Sequence, residues 1–248
     1  MTEETPRPVL LLGATSDIGR AILTRYAEAG RPVQLAGRDP AALDPFARDF
    51  ALRHRIEATV HAFDALALDT HEAFFDALPA TPSVVIMAVG ALGTQESAET
   101  DPAEAARIVA TNLTGPAWAL EVAARRLAAL GTPAAIIGLS SVAGDRGRAK
   151  NYWYGAAKAG FTAVLSGLRQ KYARTPLHVV TVRPGFVATR MTEGMDLPGP
   201  LVDRPETIAA LAHKAAERGR GVVVPAKWRL VMGVIKALPE GIFKKLKF

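Results

Sequence analysis

Seven short apolar runs recur along the chain, each separated from the next by a polar or amphipathic stretch. The runs are Pro8 to Ala14, Val33 to Ala36, Ala58 to Phe63, Val84 to Val89, Ala134 to Leu139, Leu177 to Val182 and Gly221 to Val224. They are continuously apolar rather than alternating, which is how strands read when both faces of a parallel sheet are covered. Helical patterns lie between them. Ser16 and Asp17 offer N-caps to a helix with Ile18, Ile22, Leu23 and Tyr26 on one face, closed at Gly30. Further helices are predicted roughly over Ala41 to Arg53, Thr70 to Leu78, Tyr152 to Tyr172 and Glu206 to Glu217. Pro102 to Leu130 reads as one long helix with Asn112 inside it, and the Gly/Pro-rich stretch Thr189 to Pro205 as a mobile loop. Strand and helix alternate without an internal repeat or composition break. The expectation is one α/β domain over residues 1–227, a doubly wound parallel sheet of about seven strands with helices on both faces, and an extension over 228–248.

Bulk composition narrows this little. The 248 residues and 49% apolar content suffice for one large core. The absence of cysteine excludes disulfides and thiolate metal sites, and the five histidines lack ligand spacing. The polar start, Met1 to Pro8, has no signal-peptide core, and no run reaches the roughly 18 apolar residues of a membrane span. The expected location is cytoplasmic. A net charge of +6 would suit nucleic acid, but 6% aromatic content and the lack of a nucleic-acid motif argue against that partner.

Two stretches carry chemistry. Gly13, Ala14, Thr15, Ser16, Asp17, Ile18 and Gly19 follow the first strand and open the first helix. Small residues there let the backbone approach a pyrophosphate, and a helix N-terminus favours its charge. After the second strand, Arg38 stands where an acidic residue would bind the ribose hydroxyls of NAD; a guanidinium suits a 2′-phosphate instead, so NADP(H) is favoured over NAD(H). Farther on, Ser141 precedes Tyr154 by thirteen residues, and Lys158 follows Tyr154 by four. On a helix Tyr154 and Lys158 share a face, so the ammonium is expected to lower the phenol's pKa from about 10 towards neutrality. Such a phenol can transfer protons, and Ser141 can hydrogen-bond a substrate oxygen whose charge is changing.

Together these residues resemble the short-chain dehydrogenase/reductase family over essentially Val9 to Ala226. The resemblance implies a single Rossmann domain and an oxidoreductase acting on CH–OH and C=O groups. It also implies a catalytic set of Asn112, Ser141, Tyr154 and Lys158, with Asn112 holding a water for a proton relay. Cofactor contacts follow at Gly13, Thr15, Ser16, Asp17, Ile18, Gly19, Arg38, Gly90, Tyr154 and Lys158, with Asp64 near the adenine and Pro184, Gly185, Val187 and Thr189 against the nicotinamide. Three positions depart from the family pattern. Asp17 replaces its middle glycine, Leu12 its usual threonine, and Met87-Ala88-Val89-Gly90 its Asn-Asn-Ala-Gly.

The stretches LLLGATSDIG, AGDRGRAKNYWYGAAKAG and VRPGFVATRMT also resemble a bacterial branch of the family. That branch holds the reductase subunit of decaprenylphosphoryl-ribose 2′-epimerase, which reduces a keto-sugar on a polyprenyl phosphate beside a flavin-dependent oxidase partner. The likeness implies an NADPH-dependent reductase of a small or lipid-linked carbonyl, and family habit implies a homo-oligomer. A reductase of soluble ketones or quinones and a non-catalytic sensor of nicotinamide redox state remain as alternatives. Arg146, Arg148 and Lys150, on the rim between serine and tyrosine, could grip a substrate phosphate or simply be solvated. In the tail, Leu230, Val231, Val234, Ile235 and Leu238 fall on one helical face. Ile242, Phe243 and Leu246 follow Pro239, and the segment from Trp228 carries a net charge of +4. Peripheral contact with an anionic membrane and packing on protein both fit this tail. Met191, Met195, Leu197 and Leu201 suggest a lid over an apolar part of the substrate.

Overall fold

A computed structural model describes residues 6–246. Seven strands form one wholly parallel sheet: β1 (Val9–Leu12), β2 (Val33–Gly37), β3 (Ala58–Ala62), β4 (Val84–Met87), β5 (Ala134–Leu139), β6 (Leu177–Val182) and β7 (Val222–Val223). Their order is β3-β2-β1-β4-β5-β6-β7. Successive side chains of a strand point to opposite faces, so the continuous apolar runs feed two cores. Val9 and Leu11 join Ile86, Ile137 and Val180 under α1 (Asp17–Glu28), α2 (Asp44–His54) and α8 (Pro205–Glu217). Leu10 and Leu12 join Val85, Met87, Ile136 and Val179 under α3 (His71–Asp76), α6 (Gly115–Ala129) and α7 (Tyr152–Lys171). The doubly wound α/β arrangement expected from the runs is the arrangement found.

The strand order reverses between β1 and β4. Neighbouring connections then leave in opposite directions and open a crevice at the strands' carboxyl ends, where ligands of such sheets bind.

Three elements differ from expectation. The predicted long helix over residues 102–130 is broken: α5 (Pro102–Val109) gives way to a π turn at Ala110–Thr114 before α6, with a further short helix, α4 (Gln95–Thr100), ahead of it. Pro116 helps to set this break, since it has no N–H for the helical ladder. The Gly/Pro-rich stretch carries two short 3₁₀ turns, Arg190–Thr192 and Gly199–Leu201. The tail forms α9 (Ala226–Ala237) and α10 (Glu240–Phe243), but its apolar face is not the one predicted. Trp228 and Met232 are buried with Val231 and Ile235 beside them, while Leu230 and Val234 face outward. Val142 and Phe186 pull Trp228 inward and rotate the stripe away from the five residues read as one face.

Candidate active site

The glycine turn after β1 builds one wall of a cleft of about 500 Å³ at the switch point. Gly13 adopts φ +85°, and a Cβ there would lie 2.7 Å from the Val89 backbone nitrogen, so only glycine fits the turn. At Gly19 a Cβ would sit 2.8 Å from both Ala88 Cβ and Leu11 Cδ1, which lets α1 pack directly on the sheet. The Ser16 hydroxyl accepts from Gly19 N at 3.1 Å and is the helix cap. Asp17, expected to share that role, is the first helical residue, and its carboxylate turns to Arg20 at 2.6 Å instead.

Thr15, Ser16, Asp17, Ile18, Arg38, Asp64, Gly90 and Thr189 all line this cleft. Arg38 is exposed at its edge, and Asp64 accepts from Leu66 N at 2.9 Å. Pro184, Gly185 and Val187 do not line it. A Cβ on Gly185 would be 1.8 Å from the Trp228 ring, so that backbone is a seat for the tail helix. Val187 is buried and accepts through its carbonyl from Thr192 Oγ1 at 2.6 Å. Arg107, Thr111 and Arg190 line the cleft without having been singled out from sequence. Only their distance to the glycine turn in space marks them.

The cleft's inner end is Gly90. A Cβ there would lie 3.0 Å from Asn112 Oδ1 and 3.4 Å from Lys158 Nζ. Asn112 is fully buried in the π turn. It donates to Ala91 O at 2.7 Å and Ile108 O at 2.9 Å and accepts from Ala91 N at 3.2 Å, so it ties the loop after β4 to the broken helix. Lys158 donates to Leu139 O at 3.0 Å and lies 5.7 Å from the Tyr154 ring centre. Tyr154 packs on Ala98, Ala105 and Ile108, and the Ser141 hydroxyl acts on its phenol in favour of the phenolate. Ser141 Oγ also accepts from Ala143 N at 3.0 Å.

The electrostatics reverse one expectation. The Tyr154 phenol is not lowered by its lysine. Burial raises it to about 12, opposed by the Ser141 hydroxyl. Burial likewise pushes the Lys158 amine down to about 8. Each group loses water that would stabilise its charged form, and at this separation the loss outweighs their mutual effect.

The rim differs as well. Arg146 is not free to grip a substrate phosphate. It donates to Ile235 O at 2.7 Å and Leu238 O at 2.6 Å, pairs with Glu240 at 2.7 Å and stacks 3.7 Å from the Phe243 ring centre. Carbonyls at the end of α9 and a carboxylate together outcompete solvent for this guanidinium. Lys150 is exposed, and Arg148 is half-buried beside Asp145. Leu201 packs by Trp228, whose indole donates to the Leu201 carbonyl at 3.1 Å, so it is part of the tail's seat rather than of a lid.

Known proteins share this architecture. The short chain dehydrogenase family model matches residues 7–197. An uncharacterized oxidoreductase of Mycobacterium tuberculosis is 35% identical over 252 residues, covering 99% of each chain. Another from Streptomyces coelicolor is 35% identical over 245 residues, covering 97% of this chain and 96% of its own. Among solved structures, a short-chain dehydrogenase from Sphingobium yanoikuyae in complex with NADPH superposes with a TM-score of 0.80 at 22% identity, over 97% of this chain and 96% of its own. The chain therefore belongs to the short-chain dehydrogenase family, oxidoreductases that act on CH–OH and C=O groups.

Proposed function

We propose that this protein is an NADPH-dependent carbonyl reductase working through Tyr154, Lys158, Ser141 and Asn112. The observation that carries the reading is the inner end of the cleft. There Gly90 brings the Lys158 amine and the Asn112 amide to one point, with the phenol and hydroxyl of Tyr154 and Ser141 alongside. The cleft fits a dinucleotide because the glycine turn, whose Gly13 leaves no room for a Cβ, runs along it with Thr15 and Ser16 and leads into the N-terminus of α1, where a pyrophosphate's charge is favoured. Arg38 would hold a 2′-phosphate, Asp64 the adenosine end and Thr189 the nicotinamide end. The NADPH carried by the Sphingobium neighbour is in keeping with this preference.

The nicotinamide, when bound, supplies the hydride. The chain's own residues manage the proton. With its phenol raised to about 12, Tyr154 is protonated at neutral pH, the state needed to give a proton to the oxygen that gains charge. Ser141, whose oxygen already accepts from Ala143 N, has its own proton to donate to that oxygen. Lys158, as an ammonium beside Gly90, would hold the nicotinamide ribose of the bound cofactor, and Asn112 holds the backbone around it. Tyr154→Phe should lower turnover by about a thousandfold with NADPH affinity, read from its fluorescence, nearly unchanged. Near-normal turnover in that variant would sink the assignment.

For the substrate, we favour a keto-sugar on a polyprenyl phosphate, with a flavin-dependent oxidase as partner and the chain at a membrane surface as the homo-oligomer usual in the family. The sequence likeness supports this, and so does the tail, where exposed Leu230, Val234, Ile242 and Leu246 stand among exposed Arg229, Lys236, Lys244 and Lys245. Among the described residues, no helix is long and apolar enough to cross a membrane, so any contact would be peripheral. Turnover of a 2-keto pentose phosphopolyprenol should exceed that of soluble ketones. The reverse order would identify a soluble-ketone reductase, and NADPH binding without reduction of any carbonyl would identify a sensor.

A further inference from the structure

Asp17 puts a carboxylate where the family pattern has glycine, at the start of α1 and in the wall of the cleft that must receive a doubly charged pyrophosphate. Left unpaired, it would repel that group. It is not left unpaired. Arg20 binds Asp17 Oδ1 at 2.6 Å and also donates to Ala14 O at 3.2 Å and Thr15 O at 3.0 Å. From the far side of the cleft, 173 residues along the chain, the Arg190 backbone N–H donates to Asp17 Oδ2 at 2.9 Å. The Arg190 guanidinium approaches Asp17 Oδ1 at 3.3 Å and donates to the Thr15 carbonyl. The trio is net +1, and Asp17 and Arg190 both line the cofactor cleft and a second, outer cavity behind the loop.

We propose that Asp17 and Arg190 form a latch that holds the segment after Thr189 against the glycine turn, and that this latch sets how long a dinucleotide stays in the cleft. Both are positioning residues. The substitution that looks like damage to the glycine turn is, on this account, the anchor for the opposite wall. The inference goes beyond the reductase reading but takes from it the identity of the ligand, NADPH.

The decisive variant is Asp17→Gly, which restores the family's own residue. A merely tolerated aspartate predicts tighter cofactor binding on its removal, and a latch predicts the opposite. Asp17→Gly and Arg190→Ala should each speed NADPH dissociation, followed by stopped-flow fluorescence, by about tenfold. The double variant should be no faster than the faster single, and Arg190→Lys should recover part of the loss. In the cofactor-free protein, at a temperature where circular dichroism shows both proteins fully folded, thermolysin should cut the segment over residues 191–201 several-fold faster in Asp17→Gly than in the parent. If Asp17→Gly holds NADPH as long as the parent and resists thermolysin equally, the latch is overturned. If the parent binds no NADPH but the protease difference stands, the latch holds and the cofactor assignment falls.

Discussion

Tyr154 and Lys158 show how far residue chemistry depends on surroundings. Four residues apart on α7, they read from sequence as a phenol eased towards ionisation by an amine. Burial instead moves both towards their neutral forms, to about 12 and about 8. Stability should follow. Between about pH 8 and 10 the unfolded chain keeps a proton on Lys158 that the folded chain has shed, so stability rises with pH. Above about pH 10 the sign reverses, because the folded chain then keeps the Tyr154 proton that the unfolded chain loses. Urea titrations across this range should show the rise in the parent and not in Lys158→Met. Equal slopes in both would show that Lys158 is not held near 8. Reductase activity that needs the ammonium should also decline above about pH 8, and a rate flat to pH 10 would count against the lysine's role.

At the scale of elements, the tail and the π turn were the least legible. The 3.6-residue pattern found a helix in the tail but chose the wrong face, because Leu230 and Val234 are as apolar as Val231 and Ile235, and only the seat around Val142 and Phe186 distinguishes them. Arg146, which the sequence leaves between a phosphate grip and a solvated rim, does neither and closes the end of α9. Arg146→Ala should therefore cost about 1–3 kcal/mol and open the tail to proteolysis, without altering selectivity for phosphorylated substrates. A selectivity change with an intact tail would return Arg146 to the substrate. Trp228→Ala, which empties the space against Gly185, should destabilise by about 3–5 kcal/mol in denaturant unfolding. The π turn is hard to read from sequence because the segment after it, buried at Gly115, Pro116, Ala119, Leu120, Val122, Ala123, Ala124 and Leu127, is apolar around much of its circumference and hides the phase shift an extra residue makes, yet the turn is what presents Asn112 to Ala91.

The whole molecule turns on the reversal of strand order between β1 and β4, which opens the cleft and sets Arg38 at its edge. NADPH should accordingly raise the melting temperature more than NADH at equal concentration, and Arg38→Ala should weaken NADPH binding about tenfold while leaving NADH binding almost unchanged. Equal shifts from both cofactors would remove the 2′-phosphate assignment. By itself the sequence determined the parallel sheet, its seven strands, the glycine turn and the spacing of Ser141, Tyr154 and Lys158. These are local patterns of burial and periodicity, written in consecutive residues. Only the tertiary structure decided which face of the tail is buried, where Arg146 goes, that Arg190 reaches Asp17, and how burial shifts the phenol and amine. Each of those depends on groups far apart in sequence competing for the same contacts and the same water, and no stretch of chain records the outcome of that competition.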